Sequence, residues 1–364
     1  MRLDQSNDPS SRERADMSLR ILLCSARVPF MFGGAERLLE CLKQQLSQRG
    51  HSVDVVQLPF TWHSPESVVR SYAAWRVIEL GEVESGTVDL IITLKFPAHV
   101  VEHSNKTVWL IQQFRQVYDL YGTPHSLYDP TSSSDTDLRD TVRAMDTRTL
   151  GEARRLFAIS HNVAQRLKDH NGLTAKVVHP PPPLDGQFYA SDYGDYVLTI
   201  ARLDELKRTE HLIYAISLTR SPVRCLVAGD GPDKRALQRL AAKLGVDHRV
   251  VFLGSVSDTD LLRLYSEALA VYYAPLDEDY GFVTVEAMKS ARPVLTYADS
   301  GGVLEFVQDG ITGFVTSSGD AGAMAERIDS LYLSKADAKR IGENARDLVT
   351  KLTWDSALNA LLGG

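Results

Sequence analysis

The sequence predicts an α/β protein of two domains, each a parallel sheet with helices packed on both faces. Three observations point there. From Ser18 onward, short β-branched runs alternate with longer amphipathic ones, the pattern of successive strand, helix, strand units. Four consecutive prolines at 180–183 break the alternation, which restarts after them. The chain has 364 residues, 44% hydrophobic and 24% charged, too apolar for disorder and too long for one comfortable core.

In the first half, strands are expected near residues 20–27, 52–58, 90–95, 107–112, 156–160 and 176–179. The clearest helix is 35–48, where Leu38, Leu39, Leu42 and Leu46 form one apolar stripe. The stretch 121–140 reads as a long irregular loop, of a length that is usually functional or mobile. In the second half, strands are expected at 196–201, 224–228, 249–253, 270–274 and 293–297, with helices at 210–218, 234–243, 259–266 and 282–290. The implied division is a tail at 1–17, a first domain at 18–180, a linker at 181–195, a second domain at 196–335 and a C-terminal helical segment at 336–364. The tail carries no apolar run of signal-peptide length, and Met17 could be an alternative start.

Composition excludes several classes of function. The net charge of −7 and pI near 5.8 have the wrong sign for a chain that neutralises nucleic-acid phosphates. Residues 1–180 balance 21 basic against 21 acidic side chains, so the whole excess lies in the rest, 19 against 26. Any phosphate site there must be local. Three distant cysteines, Cys24, Cys41 and Cys225, fit reduced thiols and a cytoplasmic location. No stretch approaches the ~20 apolar residues of a membrane span. The histidines are scattered, without HExxH or CxxC spacing, so no metal is expected. His99, His103 and His161 read as surface or internally satisfied groups.

The most informative stretch is PLDEDYGFVTVEAMKSARPVLTYADSGGVLEFV, residues 275–307. A buried strand gives way to an acidic, glycine-containing loop and then a helix near Phe282. Free N–H groups and a partial positive charge would therefore lie at the carboxyl edge of a parallel sheet. Glu278 is placed in the loop and Glu286 about one turn into the helix. Eight residues of continuous helix would turn the two carboxylates about 80° apart, suiting them to different hydroxyls of one ligand. Taken alone, Glu278 reads equally as a solvated loop residue and Glu286 as a surface helix residue. A second element, TIARLDELKRTEHL, sets Arg202 at a strand end and Lys207 five residues on. Their shared sheet edge favours a diphosphate site over two unrelated surface cations. A third, GGAER, puts Gly33 and Gly34 immediately before a helix. AGDGPDK, FLGSVSD and DSGGVLEFV add glycine turns, each explicable alone as turn chemistry. No GxGxxG, GxxxxGK[ST] or GxSxG sequence occurs, which disfavours nicotinamide dehydrogenases, P-loop enzymes and serine hydrolases.

With these residues in view, the second half resembles the donor-binding half of retaining glycosyltransferases of the GT-B fold, specifically glycosyltransferase family 4. The likeness runs through ARLxxxK from Ala201, GDGP from Gly229, FLGSV from Phe252, Glu278 and Glu286 in Glu-x7-Glu, and GG followed by Glu305. It continues through DGITGFV and LTWD, and more thinly in the first half through GGAER and AISHNVAQRL. The resemblance implies two Rossmann-like domains facing each other across a deep cleft, with a nucleoside-diphosphate sugar as donor. It implies Arg202 and Lys207 on the diphosphate, Glu286 on the ribose, Glu278 on the transferred sugar, and Arg202, Lys207 and Glu278 as the catalytic group. Amides at Gly281, Phe282 and Val283, the turn at Gly229, the backbone near Val256, and Gly33 with Gly34 would complete the donor site. Such enzymes use no essential metal or cofactor. The sequence departs from the family where many relatives carry a histidine, since Ile111 stands four residues before Arg115. There Gln112 or Gln113 would supply a polar contact beside Arg115 on the acceptor side, or the sugar sits differently.

The expectation is a hexosyltransferase acting from a UDP- or GDP-sugar on a hydroxyl of a saccharide, lipid-linked or small-molecule acceptor. The competing readings are a nucleotide-sugar-binding protein without turnover, and an epimerase or phosphorylase on the same architecture. Peripheral membrane contact is a minor option, because the first half shows no basic amphipathic helix.

Overall fold

A computed structural model of the chain describes residues 18–84 and 86–363, so the expected tail at 1–17 lies outside the described residues. They divide into two compact units. The first holds the described residues up to Ala158, then Arg166–Lys176 and the stretch from Leu358. The second holds Ile159–Gln165 and Val177–Ala357.

The first unit runs β1 (Arg20–Arg27), α1 (Gly34–Gln48), β2 (Ser52–Pro59), α2 (Pro65–Val77), a short ribbon of β3 (Glu82–Val83) and β4 (Gly86–Thr87), β5 (Leu90–Thr93), β6 (Lys106–Leu110), α3 (Ser133–Gly151) and β7 (Arg155–Ala158). Then come α4 (His161–Asn171), shared by the two units, and β8 (Lys176–Val177). The sheet order is β2-β1-β5-β6-β7-β8, with parallel pairing from β2 through β7. β5 and β6 are buried along their whole length, as strands covered on both faces must be. α1 buries the expected stripe of Leu38, Leu39, Leu42 and Leu46.

Two helices depart from the sequence reading. The second half of the stretch expected as an irregular loop is helical from Ser133, because the Ser132 hydroxyl accepts from the Asp135 amide and caps the first turn. Its opening turns are polar, which hides the start from any search for apolar periodicity. α2 is capped the same way, by Ser64 with Pro65 at the first position, and buries Val68, Tyr72 and Trp75.

The second unit contains β9 (Tyr196–Ile200), α5 (Thr209–Leu218), β10 (Arg224–Ala228), α6 (Lys234–Lys243), β11 (Val250–Gly254), α7 (Asp258–Glu267), β12 (Ala270–Tyr272), α8 (Phe282–Lys289), β13 (Val294–Tyr297), β14 (Gly313–Thr316), α9 (Ala321–Leu333) and α10 (Lys335–Val349). It also holds the start of α11 (Trp354–Leu362). All five pairings in the order β11-β10-β9-β12-β13-β14 are parallel. The chain winds outward from β9 on one side, then returns to β12 on the other. β9 and β12 are therefore the neighbours whose following loops leave in opposite directions, and a crevice opens there at the carboxyl ends.

Residues 181–195 are built into this unit. The Tyr193 hydroxyl donates to the Ala291 carbonyl (2.5 Å), Arg292 Nη2 donates to the Ser191 carbonyl (2.7 Å), and Lys289 pairs with Asp185 (2.6 Å). Residues 336–357 also belong here, whereas the chain from Leu358 belongs to the first unit. There the Leu361 carbonyl accepts from Thr107 and the Leu362 carbonyl from Arg155. Among the described residues, no helix is long and apolar enough to cross a membrane.

Candidate active site

Beyond β9 the chain runs alongside the segment beyond β10: the Ala201 amide donates to the Ala228 carbonyl (3.1 Å) and the Leu203 amide to the Asp230 carbonyl (2.9 Å). Gly229 is required by this approach. Its φ is +121°, and a Cβ there would fall 1.9 Å from the Ala201 carbonyl oxygen. A single 3-10 turn, Glu205–Lys207, follows and ends at Arg208, a non-glycine residue at φ +51° from which α5 starts.

Lys207 and Glu278 meet at the crevice between β9 and β12. Lys207 Nζ lies 2.5 Å from Glu278 Oε2 and 3.3 Å from the Tyr273 hydroxyl, with both charged side chains about one-fifth exposed. Burial pushes the ammonium's pKa down, but the Glu278 carboxylate and Tyr273 more than offset it, so the proton is held more tightly than on a free lysine. Burial and the Glu278 charge push the Tyr273 phenol up, so it stays protonated, and its oxygen accepts from Lys207. Arg202 lies on the same loop, about half exposed, with Nε 3.8 Å from Asp204 Oδ2. Burial raises the Asp204 pKa; Lys207 and Arg202 oppose that rise, and Glu278 adds to it, so all three lie within its electrostatic reach.

Glu278 is positioned through its backbone. Its amide donates to the Ser300 carbonyl (3.3 Å), and its carbonyl accepts from the Gly302 amide (2.7 Å) and from Asn162 Nδ2 (2.9 Å). Asn162 Nδ2 also reaches Asp277 Oδ1 at 2.8 Å. Gly301 sits at φ +59°, and a Cβ there would be 2.7 Å from Asn162, Asp277 and the Glu278 carbonyl. The loop and the GG turn are therefore packed backbone to backbone. α8 starts only at Phe282, after Gly281 at φ +83°, so no continuous helix joins Glu278 to Glu286 and the 80° rotation does not apply. Glu286 is 7% exposed, and the Tyr265 hydroxyl of α7 donates to its Oε2 at 2.7 Å. The amides of Phe282 and Val283 are in the first turn of α8, and half-buried Val256 directly precedes the Ser257 cap of α7.

The residue that ties this edge together was not singled out by the sequence. Arg208 is buried, donates to the Ala274 (2.7 Å) and Pro275 (2.8 Å) carbonyls, and grips both oxygens of Asp299 at 2.8 Å. It thereby joins the ends of β9, β12 and β13. Burial pushes Asp299 up, but hydrogen bonds from Arg208 and Ser318 hold its carboxyl below the usual range. Nothing in LKRTE distinguishes this arginine from the lysine before it. Tyr265, Tyr273 and Asn162 were missed for the same reason, since their partners lie far away in sequence.

In the first unit, the Gly33 amide donates to Glu36 Oε2 (2.9 Å), and Glu36 pairs with Lys95 at 3.0 Å. Gly33 is extended, and a Cβ there would make only an ordinary 3.7 Å contact with Glu36, so the chain's own packing does not demand glycine. Gly34 opens α1. The acceptor-side expectation needs correcting at Gln113. That side chain is 1% exposed and donates to Asn171 Oδ1 at 2.6 Å, because the residues after β6 turn into the core. Gln112 is half-buried, and Arg115 pairs with Asp119 at 2.7 Å. His99 is buried rather than at the surface, and only half satisfied: Nε2 lies 2.8 Å from Asp146 Oδ1, while the buried Nδ1 has no hydrogen-bond partner.

Two α/β units, the second with its charged pair where the strand order reverses, define the GT-B class of glycosyltransferase fold. Solved structures share it. Sucrose-phosphate synthase from Thermosynechococcus elongatus is 20% identical with a TM-score of 0.74, over 95% of this chain and 98% of that one. HepE from Anabaena, in complex with UDP and glucose, is 18% identical with a TM-score of 0.69, over 94% and 98%. At such identities the likeness speaks for the fold alone. The model of glycosyl transferases group 1 matches residues 189–348 and that of glycosyltransferase family 4 matches residues 32–185, which together take in most of the sequence; the chain belongs to this glycosyltransferase family. D-inositol 3-phosphate glycosyltransferase of Nocardia farcinica is 32% identical over 177 residues, 46% of this chain and 39% of that protein. The chain spans less than half the length of the first curated relatives it matches.

Proposed function

We propose that the protein is a retaining glycosyltransferase that moves a hexose from a nucleoside-diphosphate sugar to an acceptor hydroxyl. The observation that carries this is the Lys207–Glu278 pair at the β9/β12 crevice, beside the start of α8. Without donor, the ammonium is neutralised by the carboxylate. A diphosphate offers it several anionic oxygens, so binding exchanges one partner for another, and Glu278 is released to accept hydrogen bonds from sugar hydroxyls. Arg202 supplies a second, planar set of donors, and the first-turn amides at Phe282 and Val283 add partial positive charge. These groups matter most as the glycosidic bond breaks and charge grows on the leaving diphosphate. Glu286, oriented by Tyr265, is the ribose acceptor in this reading.

Retention follows the front-face course, in which the acceptor attacks from the side the diphosphate leaves. The two glutamates are therefore not the acid and nucleophile of a glycosidase. UDP-hexoses are the first donors to try, since HepE is described with UDP and glucose, and inositol phosphates belong among the first acceptors. A thermal-shift panel of nucleoside diphosphates and their hexose conjugates tests the donor. A ligand at 100 times its dissociation constant adds about 2.7 kcal/mol of stability. A cognate donor should raise Tm, release nucleoside diphosphate when acceptor is added and leave an α-configured product from an α-linked donor. Release of sugar phosphate, or binding without transfer to any acceptor tested, overturns the assignment.

A further inference from the structure

We infer that His161, His179 and Glu305 form a binding site for a borderline-soft divalent ion of the zinc class. The three residues are brought together in the second unit from the start of α4, the segment after β8 and the 3-10 turn Gly302–Glu305. One ligand atom from each lies within 4.8 Å of the other two. His179 Nε2 is 2.8 Å and His161 Nδ1 is 3.8 Å from the same oxygen, Glu305 Oε2. Around a tetrahedral ion with bonds of about 2.0–2.1 Å, ligand atoms stand about 3.3 Å apart, so the two separations from Glu305 lie close to what an ion needs, and the histidine nitrogens, within 4.8 Å of each other, close on it when His161 turns.

Three further features suit an ion. The second carboxylate oxygen, Oε1, accepts the Asn162 amide at 3.0 Å, so ligation through Oε2 leaves this bond to the first turn of α4 in place and gives the carboxylate an outer partner. The His179 ring is fixed by aromatic neighbours, with Tyr280 stacked at 5.8 Å and Phe306 edge-on at 5.2 Å; the His161 ring now lies nearly parallel to it, 5.7 Å away, and must turn about its own side-chain bonds for its nitrogen to face the same ion. His161 is two-thirds exposed, which leaves an entry path and room for a water as fourth ligand. Two imidazoles and one carboxylate favour zinc-class ions over magnesium or calcium, which take mostly oxygen. Binding requires His179 to present Nε2 without a proton. The ion takes no part in the transfer chemistry proposed above. Its link to that site is Asn162, next to His161, whose side chain holds the backbone of the Glu278 loop.

The test uses the full chain, freed of any histidine tag, titrated with cobalt(II). The expected result is visible d–d absorption of four- or five-coordinate cobalt saturating at one ion per chain, bleached by zinc and untouched by excess magnesium. His161→Ala, which alters an exposed side chain, should weaken binding at least tenfold with an unchanged melting curve. Glu305→Gln should do the same, with circular dichroism as the check on folding. Absence of the visible bands, or bands of equal strength in the wild type and His161→Ala, overturns the assignment.

Discussion

Replacing Lys207 by methionine keeps the length of the side chain and removes its charge. In the free protein, Glu278 loses its 2.5 Å partner and Tyr273 loses its 3.3 Å contact. Both charged groups are about one-fifth exposed, so water takes over part of the lost interaction. The expected cost to stability is about 1 kcal/mol, a fall of a few degrees in Tm for a chain of this size. The effect on transfer is larger, because the leaving diphosphate carries its greatest charge in the transition state. A hydrogen bond to a charged group contributes about 1.5–3 kcal/mol, and each 1.36 kcal/mol is tenfold in rate. Lys207→Met should therefore lower kcat/KM by about 10- to 150-fold, with much of the loss in kcat. The assay is nucleoside diphosphate release under donor saturation, with circular dichroism and Tm as folding controls. Glu278→Gln and the double variant complete a cycle, and losses well short of multiplicative are expected, since the two residues act on one donor. Wild-type-like turnover in a folded Lys207→Met protein would remove the ammonium from the mechanism.

The remaining expectations concern the framework of the site. Arg208→Ala leaves the Asp299 carboxylate without its bidentate partner; Asp299 is 37% exposed, so water screens part of the loss, and a fall of about 2 kcal/mol in urea unfolding is expected. A loss under 1 kcal/mol would deny Arg208 its joining role. Because the Asp299 pKa is depressed in the folded state, its stabilisation is fully present above the ordinary carboxylate pKa of about 3.9 and fades as pH falls through its lower folded value. Asp299→Asn should accordingly lower stability at pH 7 and flatten this acid limb; an unchanged limb counts against the pairing. Gly301→Ala drives a Cβ to 2.7 Å from the Glu278 carbonyl at a left-handed φ, so activity should fall at least tenfold, and normal kinetics would show that the loop does not need its present course. Burial pushes the Cys24 and Cys225 thiols up to about 12, whereas Cys41 is only half-buried. A thiol reagent at neutral pH should label Cys41 alone in the native protein and all three after denaturation, and fast native labelling of the other two would contradict the packing.

Much of the architecture was legible because it is local. Alternating β-branched and amphipathic runs mark the strands and the helix stripes, and a run of prolines marks where the first sheet must end, since these signals depend on neighbours two to four residues apart. Lys207 and Glu278 were legible as a charge pattern at strand ends, and the fold set them side by side. Helices with polar first turns, α2 and α3, were hidden because a serine cap declares itself only through its hydrogen bond. The remaining features belong to the tertiary structure. Arg208 differs from Lys207 only in what it reaches, which is carbonyls and a carboxylate 66 to 91 positions away. Gln113 and Gln112 are indistinguishable in sequence, yet one turns inward to Asn171. His161, His179 and Glu305 come from segments that no spacing rule connects, after β7, after β8 and after β13, and only the tertiary structure brings their side chains together. A sequence specifies which groups are present and the period on which they repeat; which of them share one small volume is decided by the packing of strands distant in the chain.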